Sequence, residues 1–248
     1  MDLFISISYI DNNLKLWNIS NFECLLNIKN VNKTGHLKSA CFLKDNNFNY
    51  IITSNSSNNS AIKSELIKVF DFKGTKIKNI NGSNEKVDFI NTYYDERLSK
   101  NFIIVCSRGY SKSYDYKENK IYHKYSDNFN EPCNFVINNK GKVVELIESN
   151  FDGNIRIWNF HSALLLNKIN VSDCSLREIC LWDKVYLFVG CDDNSVKLIE
   201  YKNGKIIKEL KGHNAKVLSI KKITLPKFGA CLLSQGSEIN SIKLWLIK

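Results

Sequence analysis

Val143-Val144-Glu145-Leu146-Ile147-Glu148-Ser149, then Phe151-Asp152-Gly153-Asn154, then Ile155-Arg156-Ile157-Trp158-Asn159-Phe160 is the stretch that decides the fold. Two runs of alternating apolar and polar residues flank an Asp-Gly pair. Glycine supplies the positive φ of a tight turn, so the stretch reads as a β-hairpin. Upstream, Asn134 to Asn138 is short and apolar; downstream, Leu164 to Val171 gives a fourth run. Four antiparallel strands make one unit.

The second arm of that hairpin returns along the chain. It reads Leu14-Lys15-Leu16-Trp17, Ile67-Lys68-Val69-Phe70, Ser111-Lys112-Ser113-Tyr114, Ile155-Arg156-Ile157-Trp158, Val196-Lys197-Leu198-Ile199 and Ile242-Lys243-Leu244-Trp245. Successive copies end roughly 41 to 53 residues apart, the spacing of stacked four-strand units. The same order parses the rest of the chain. The first unit has Leu3 to Ser8, Leu14 to Ile19 and Cys24 to Lys29. The second has Lys38 to Leu43, Tyr50 to Ser54, Ile67 to Phe72 and Lys76 to Ile80, with a long polar loop, Asn55 to Ser64, expected to be disordered. Val87 to Tyr93, Phe102 to Ser107, Lys112 to Tyr116 and Ile121 to Tyr125 form a weaker third. The fifth has Leu176 to Leu181, Tyr186 to Cys191, Val196 to Tyr201 and Ile206 to Leu210; the last has Val217 to Ile223, Ala230 to Ser234 and Ile242 to Ile247. A sheet of this kind has two apolar faces and buries them by stacking on its neighbours around an axis. Helical periodicity is nowhere sustained. The expected fold is all-β, a β-propeller of four-stranded antiparallel blades with six blades visible, in a single domain over 1–248.

The chain resembles the WD-repeat family over essentially its whole length. Gly212-His213 followed by Ser241-Ile242-Lys243-Leu244-Trp245 is the clearest copy, and Gly35-His36 opens another. In that family a His before the innermost strand, a Ser or Thr on the second, an Asp in the hairpin turn and a Trp on the third are hydrogen-bonded together. The resemblance implies structural roles for His36, His213, Ser234 and Trp245, with Ile239 in the Asp place of the last unit. It implies the same for Asp11, Asp152 and Asp193, which lie six residues before Trp17, Trp158 and Ile199.

The first and last units lack a strand each. Either the chain is a six-unit ring with an imperfect seam, or it is the C-terminal part of a longer chain, such as a seven-bladed ring; the second reading is favoured.

Composition bounds the function. No apolar run is long enough to cross a membrane as a helix, and the N-terminus lacks the pattern of a secretion signal, so a cytoplasmic location is expected, with a nuclear one compatible. Eight scattered cysteines without Cys-x-x-Cys pairs read as reduced thiols. The net charge of +10 invites an acidic ligand, phosphoinositide or RNA. Six basic residues, however, recur at one place in the repeat, Lys15, Lys68, Lys112, Arg156, Lys197 and Lys243, which distributes them around the molecule. A Phe-Arg-Arg-Gly lipid motif is absent, with only Ser107-Arg108-Gly109 in a comparable place.

Signs of catalysis are sparse. There are four histidines, His36, His123, His161 and His213, and no nucleophile elbow, phosphate loop or His-Glu-x-x-His motif. Glu145 and Glu148 share a strand at odd separation and point to opposite sides. No enzyme activity, cofactor or metal is expected. What remains is protein binding through rim loops held by a rigid scaffold. The hairpin turns place Ile10, Phe151 and Asp192 immediately before the turn Asp, and Arg108 and Arg177 are further rim candidates. Phe151, a large aromatic in a polar turn, is either packed on a neighbour or an interface anchor.

Overall fold

The structure is a computed structural model that describes residues 2–31, 35–56, 66–80, 86–127, 131–239 and 241–247. It is all-β, of the β-propeller class, and the described strands form six antiparallel sheets. They fall into two compact units, Met1–Lys124 and Tyr125–Lys248.

The N-terminal unit carries three sheets. The first is three-stranded, β1 (Leu3–Ile7), β2 (Leu14–Asn18) and β3 (Cys24–Ile28). The second is β4 (His36–Asp45), β5 (Phe48–Ser56), β6 (Ile67–Asp71) and β7 (Lys76–Asn79); the third is β8 (Val87–Asp95), β9 (Lys100–Ser107), β10 (Tyr110–Asp115) and β11 (Lys120–Tyr125). Alternation decides which face is buried. Leu14 and Leu16 face the second sheet and pack with Leu37, Ile51 and Phe70. Ile52 and Val69, on the opposite face of the second sheet, pack with Ile90 and Val105 of the third. The part of the Asn55 to Ser64 loop from position 57 onward lies outside the described residues.

The C-terminal unit repeats the plan with β12 (Pro132–Asn139), β13 (Val144–Asn150), β14 (Asn154–Asn159) and β15 (Leu165–Asn170) in the fourth sheet. The fifth has β16 (Leu176–Leu181), β17 (Tyr186–Cys191), β18 (Ser195–Glu200) and β19 (Lys205–Lys211), and the sixth is three-stranded, β20 (Val217–Leu225), β21 (Gly229–Gly236) and β22 (Ile242–Leu246). Ile155 and Ile157 of β14 pack with Leu176, Ile179 and Val189 of the fifth sheet. Phe188 and Val196 pack in turn with Val217, Ile220 and Leu232 of the sixth.

Two of the innermost strands, β4 and β12, start two residues earlier than the apolar pattern predicts, and β8, β16 and β20 start where it places them. Each opens with a register shift, between Leu37 and Ser39, Val87 and Phe89, Pro132 and Asn134, Leu176 and Ile179, and Val217 and Ser219. A bulge breaks strict alternation, which is why alternation alone starts β4 and β12 late. Pro132 sits at the first residue of its strand, where a missing N–H costs least.

Gly153 shows how tightly a hairpin turn is built. Its φ is +77°, and a Cβ there would lie 1.8 Å from the Ser172 carbonyl oxygen. The Gly153 carbonyl accepts from the Val171 and Ser172 amides, tying the turn to the segment that leaves the sheet.

Candidate functional site

Two of the turn aspartates clamp the recurring base four residues on. Asp152 accepts from Arg156 Nη1 at 3.1 Å and Nη2 at 2.7 Å, while Arg156 Nε donates to Asp127 at 2.9 Å. Arg156 is completely buried, so the two carboxylates replace its water. Asp193 accepts from Lys197 Nζ at 2.8 Å and from Ser195 Oγ at 2.6 Å. Burial raises both aspartates, and the hydrogen bonds from Arg156 and Asn154 at Asp152, and from Lys197 and Ser195 at Asp193, outweigh it and hold them below the usual carboxylate range. Lys68 donates to the Val31 carbonyl at 2.9 Å, Lys112 lies 4.2 Å over the Tyr110 ring and Lys15 lies 5.4 Å from the Trp17 ring centre. Five of the six recurring positive charges serve internal contacts. Asp11 is exposed, and the neighbouring Asn12 does the linking there: its Nδ2 donates to the Gly35 carbonyl and its Oδ1 accepts from the Leu37 amide.

The tryptophans follow one rule of register. Trp17, Trp158 and Trp245 lie opposite Phe4, Leu146 and Leu232, and each indole N–H donates to the polar residue two positions further along that strand. The acceptors are Ser6 at 2.8 Å, Glu148 at 2.7 Å and Ser234 at 2.7 Å. In the sixth sheet the network is larger, since His213 Nε2 is 2.7 Å from Ser234 Oγ and Nδ1 is 2.9 Å from Ser241 Oγ. Ile239, in the expected Asp place, is exposed, and Ser241 supplies the oxygen. Burial, then the Lys243 charge, lower the His213 pKa. His36 is used differently: it is exposed, stacks on Tyr9 at 4.2 Å and places Nδ1 3.0 Å from the Tyr9 carbonyl oxygen.

Glu145 and Glu148 go to separate partners. Glu145 accepts from the Tyr201 hydroxyl at 2.8 Å and pairs with Lys140 at 2.6 Å, whereas Glu148 serves Trp158. Burial pushes the Cys41 and Cys191 thiols up to about 12, which suppresses thiolate chemistry at both.

Three of the five binding candidates converge in the C-terminal unit. Arg177, near the start of β16, donates through Nε and Nη2 to the two oxygens of Asp192, at 2.6 Å each. The β16–β17 register, with Leu176 opposite Cys191, brings them to the same end of the sheet. Lys216, just before β20, adds a third contact to Asp192 at 3.1 Å. On the other side, the Arg177 guanidinium carbon lies 5.0 Å from the centre of the exposed Phe151 ring, whose backbone carbonyl accepts from Ser175 Oγ. The Arg177 hydrogen bonds hold the Asp192 carboxyl low, and Asp192 raises Arg177. Neither exchanges protons near neutrality, so the cluster offers a fixed ion triad beside an aromatic face, an arrangement for binding. Ile10 and Arg108 lie in the N-terminal unit, both exposed in hairpin turns.

Lys216, Ser241 and the role of Glu148 escape sequence reasoning. The spacing of Glu148 from Trp158, close to that of Ser6 from Trp17 and Ser234 from Trp245, is the signal that could have found it.

No family model matches the chain. It is 24% identical over 175 residues to autophagy-related protein 16 of Arabidopsis thaliana, covering 69% of this chain and 33% of that protein. It is 32% identical over 104 residues to the WD repeat domain-containing protein 83 homolog of Dictyostelium discoideum, covering 41% and 30%. It is 27% identical over 97 residues to a probable coatomer subunit beta' of Schizosaccharomyces pombe, covering 38% and 12%. The chain therefore spans about a third or less of the length of these relatives. All are WD-repeat proteins. Six antiparallel sheets repeating one strand order make the chain a β-propeller, and its distant relatives are WD-repeat proteins.

Proposed function

We propose that the protein is a non-catalytic scaffold or adaptor that holds a protein partner at the hairpin-turn rim of its C-terminal unit, in the cytoplasm or nucleus. The observation that carries this reading is the convergence of Phe151, Arg177, Asp192 and Lys216 from three successive sheets. An exposed aromatic braced by a guanidinium loses little conformational freedom on binding, and such residues are frequent interface anchors. The buried pairing of Arg156 and the clamping of Lys197 leave the recurring basic positions little to offer an acidic ligand.

Affinity capture from native lysate at two salt concentrations, with Phe151→Ala alongside, tests the reading. A discrete protein complex that survives the higher salt and is lost in the variant is the expected result. Recovery of nucleic acid alone, washing off with salt, would overturn it.

A further inference from the structure

The outer strands of the fourth and fifth sheets carry a surface that the rim does not use. Leu164, just before β15, Leu165 and Leu166, at its start, and Ile206 and Ile207, in β19, are between 39% and 65% exposed. Each edge carries a register shift here, with Leu166 and Ile207 as the extra residues, so the neighbouring aliphatic side chains are not divided between the two faces as they would be in a regular strand. The two edges are neighbours: Asn167 Nδ2 donates to the Lys202 carbonyl at 3.0 Å, and a Cβ on Gly204 would lie 2.5 Å from an Ile169 methyl carbon. Lys202, Lys205 and Lys208 flank the aliphatic residues, all exposed, and none forms an ion pair among the described residues.

We propose that this edge docks on a membrane surface rich in anionic lipid, its aliphatic side chains entering the headgroup boundary while the three lysines meet lipid charge. Two features select a bilayer over a peptide. The aliphatics project from the edge strands of two neighbouring sheets, whereas a peptide adding to an open ladder engages one. The lysines keep free charge, which an anionic surface attracts with about 1 kcal/mol each. Edge lysines also guard sheets against unwanted pairing, but a guard needs only charge of either sign and no exposed aliphatic residues beside it. The site is separate from the Phe151 cluster and independent of the reading given to it.

Sedimentation of the purified chain with phosphatidylcholine vesicles, with and without about a third phosphatidylserine, tests the proposal. Binding to the anionic vesicles alone is expected, weakening as salt rises. Lys202→Glu/Lys205→Glu/Lys208→Glu should lose well over a hundredfold in apparent affinity, since removing three lysines accounts for roughly that much and the new carboxylates repel the surface, while still guarding the edge. Ile206→Ser/Ile207→Ser should weaken binding with the charge intact, and Phe151→Ala should bind vesicles normally. Unfolding profiles matching the parent show that the variants fold. Displacement by soluble inositol phosphate would overturn the bilayer in favour of a headgroup site. Equal binding by the triple variant, or no binding to anionic vesicles by the parent, would overturn the proposal entirely.

Discussion

β14 and β22 carry nearly the same words, Ile155-Arg156-Ile157-Trp158 and Ile242-Lys243-Leu244-Trp245, and meet different surroundings. In β14 the two isoleucines are 0% and 3% exposed, because the fifth sheet lies over them. In β22 Ile242 and Leu244 are 64% and 45% exposed. On the other face each Trp is bonded to an acceptor on the preceding strand, but Arg156 is buried against two carboxylates whereas Lys243 is half-exposed. Local sequence thus specifies the strand and its polar tether, and the next sheet in the stack decides what the apolar positions contribute.

The largest test of this contrast lies at the basic positions. Arg156→Ala strands two carboxylates around a vacated buried site and should cost about 3–5 kcal/mol in urea unfolding. Lys243→Ala, at a half-exposed position, should stay within about 0.5 kcal/mol. Equal costs would break the comparison. The aliphatic positions come next. Ile157→Ala should lose about 2–5 kcal/mol through transfer and cavity effects, against about 1 kcal/mol or less for Leu244→Ala.

The smallest effect concerns pH. Folding lowers the His213 pKa, so the native state favours neutral imidazole. The stability contributed is present above the unfolded value, about 6.5, and is lost as pH falls through the lower folded value. The urea midpoint should therefore drop between pH 7.5 and 5.5 in the parent and drop less in His213→Gln. An equal drop in both would assign the effect to other groups.

Much of this was legible in the sequence, for physical reasons that can be named. Asp152-Gly153 announces a turn because few residue types accept its backbone twist, and the alternation on either side fixes which side chains share a face. Arg177, Asp192 and Phe151 could each be placed near turns, but their meeting depends on a bulge that shifts the pairing register just after Leu176 and on how neighbouring sheets stack. Ser241 was hidden because its hydroxyl lies two residues beyond the expected Asp place, and only the fold brings it to His213. Lys202, Lys205 and Lys208 are plain in the sequence. That none of them forms an ion pair among the described residues is a property of the fold.

Gly153 and Gly141 share a backbone twist, φ of +77° and +78°, yet they set opposite limits on how far the chain can drift. Around Gly141 nothing lies within 4 Å of the space a Cβ would fill, so asparagine, the side chain most tolerant of that twist, is an accessible neighbour in sequence space. At Gly153 the Ser172 carbonyl already occupies that space. A lineage carrying this protein can wander at one turn, and at the other it is held to a single amino acid for as long as the fourth sheet keeps its shape.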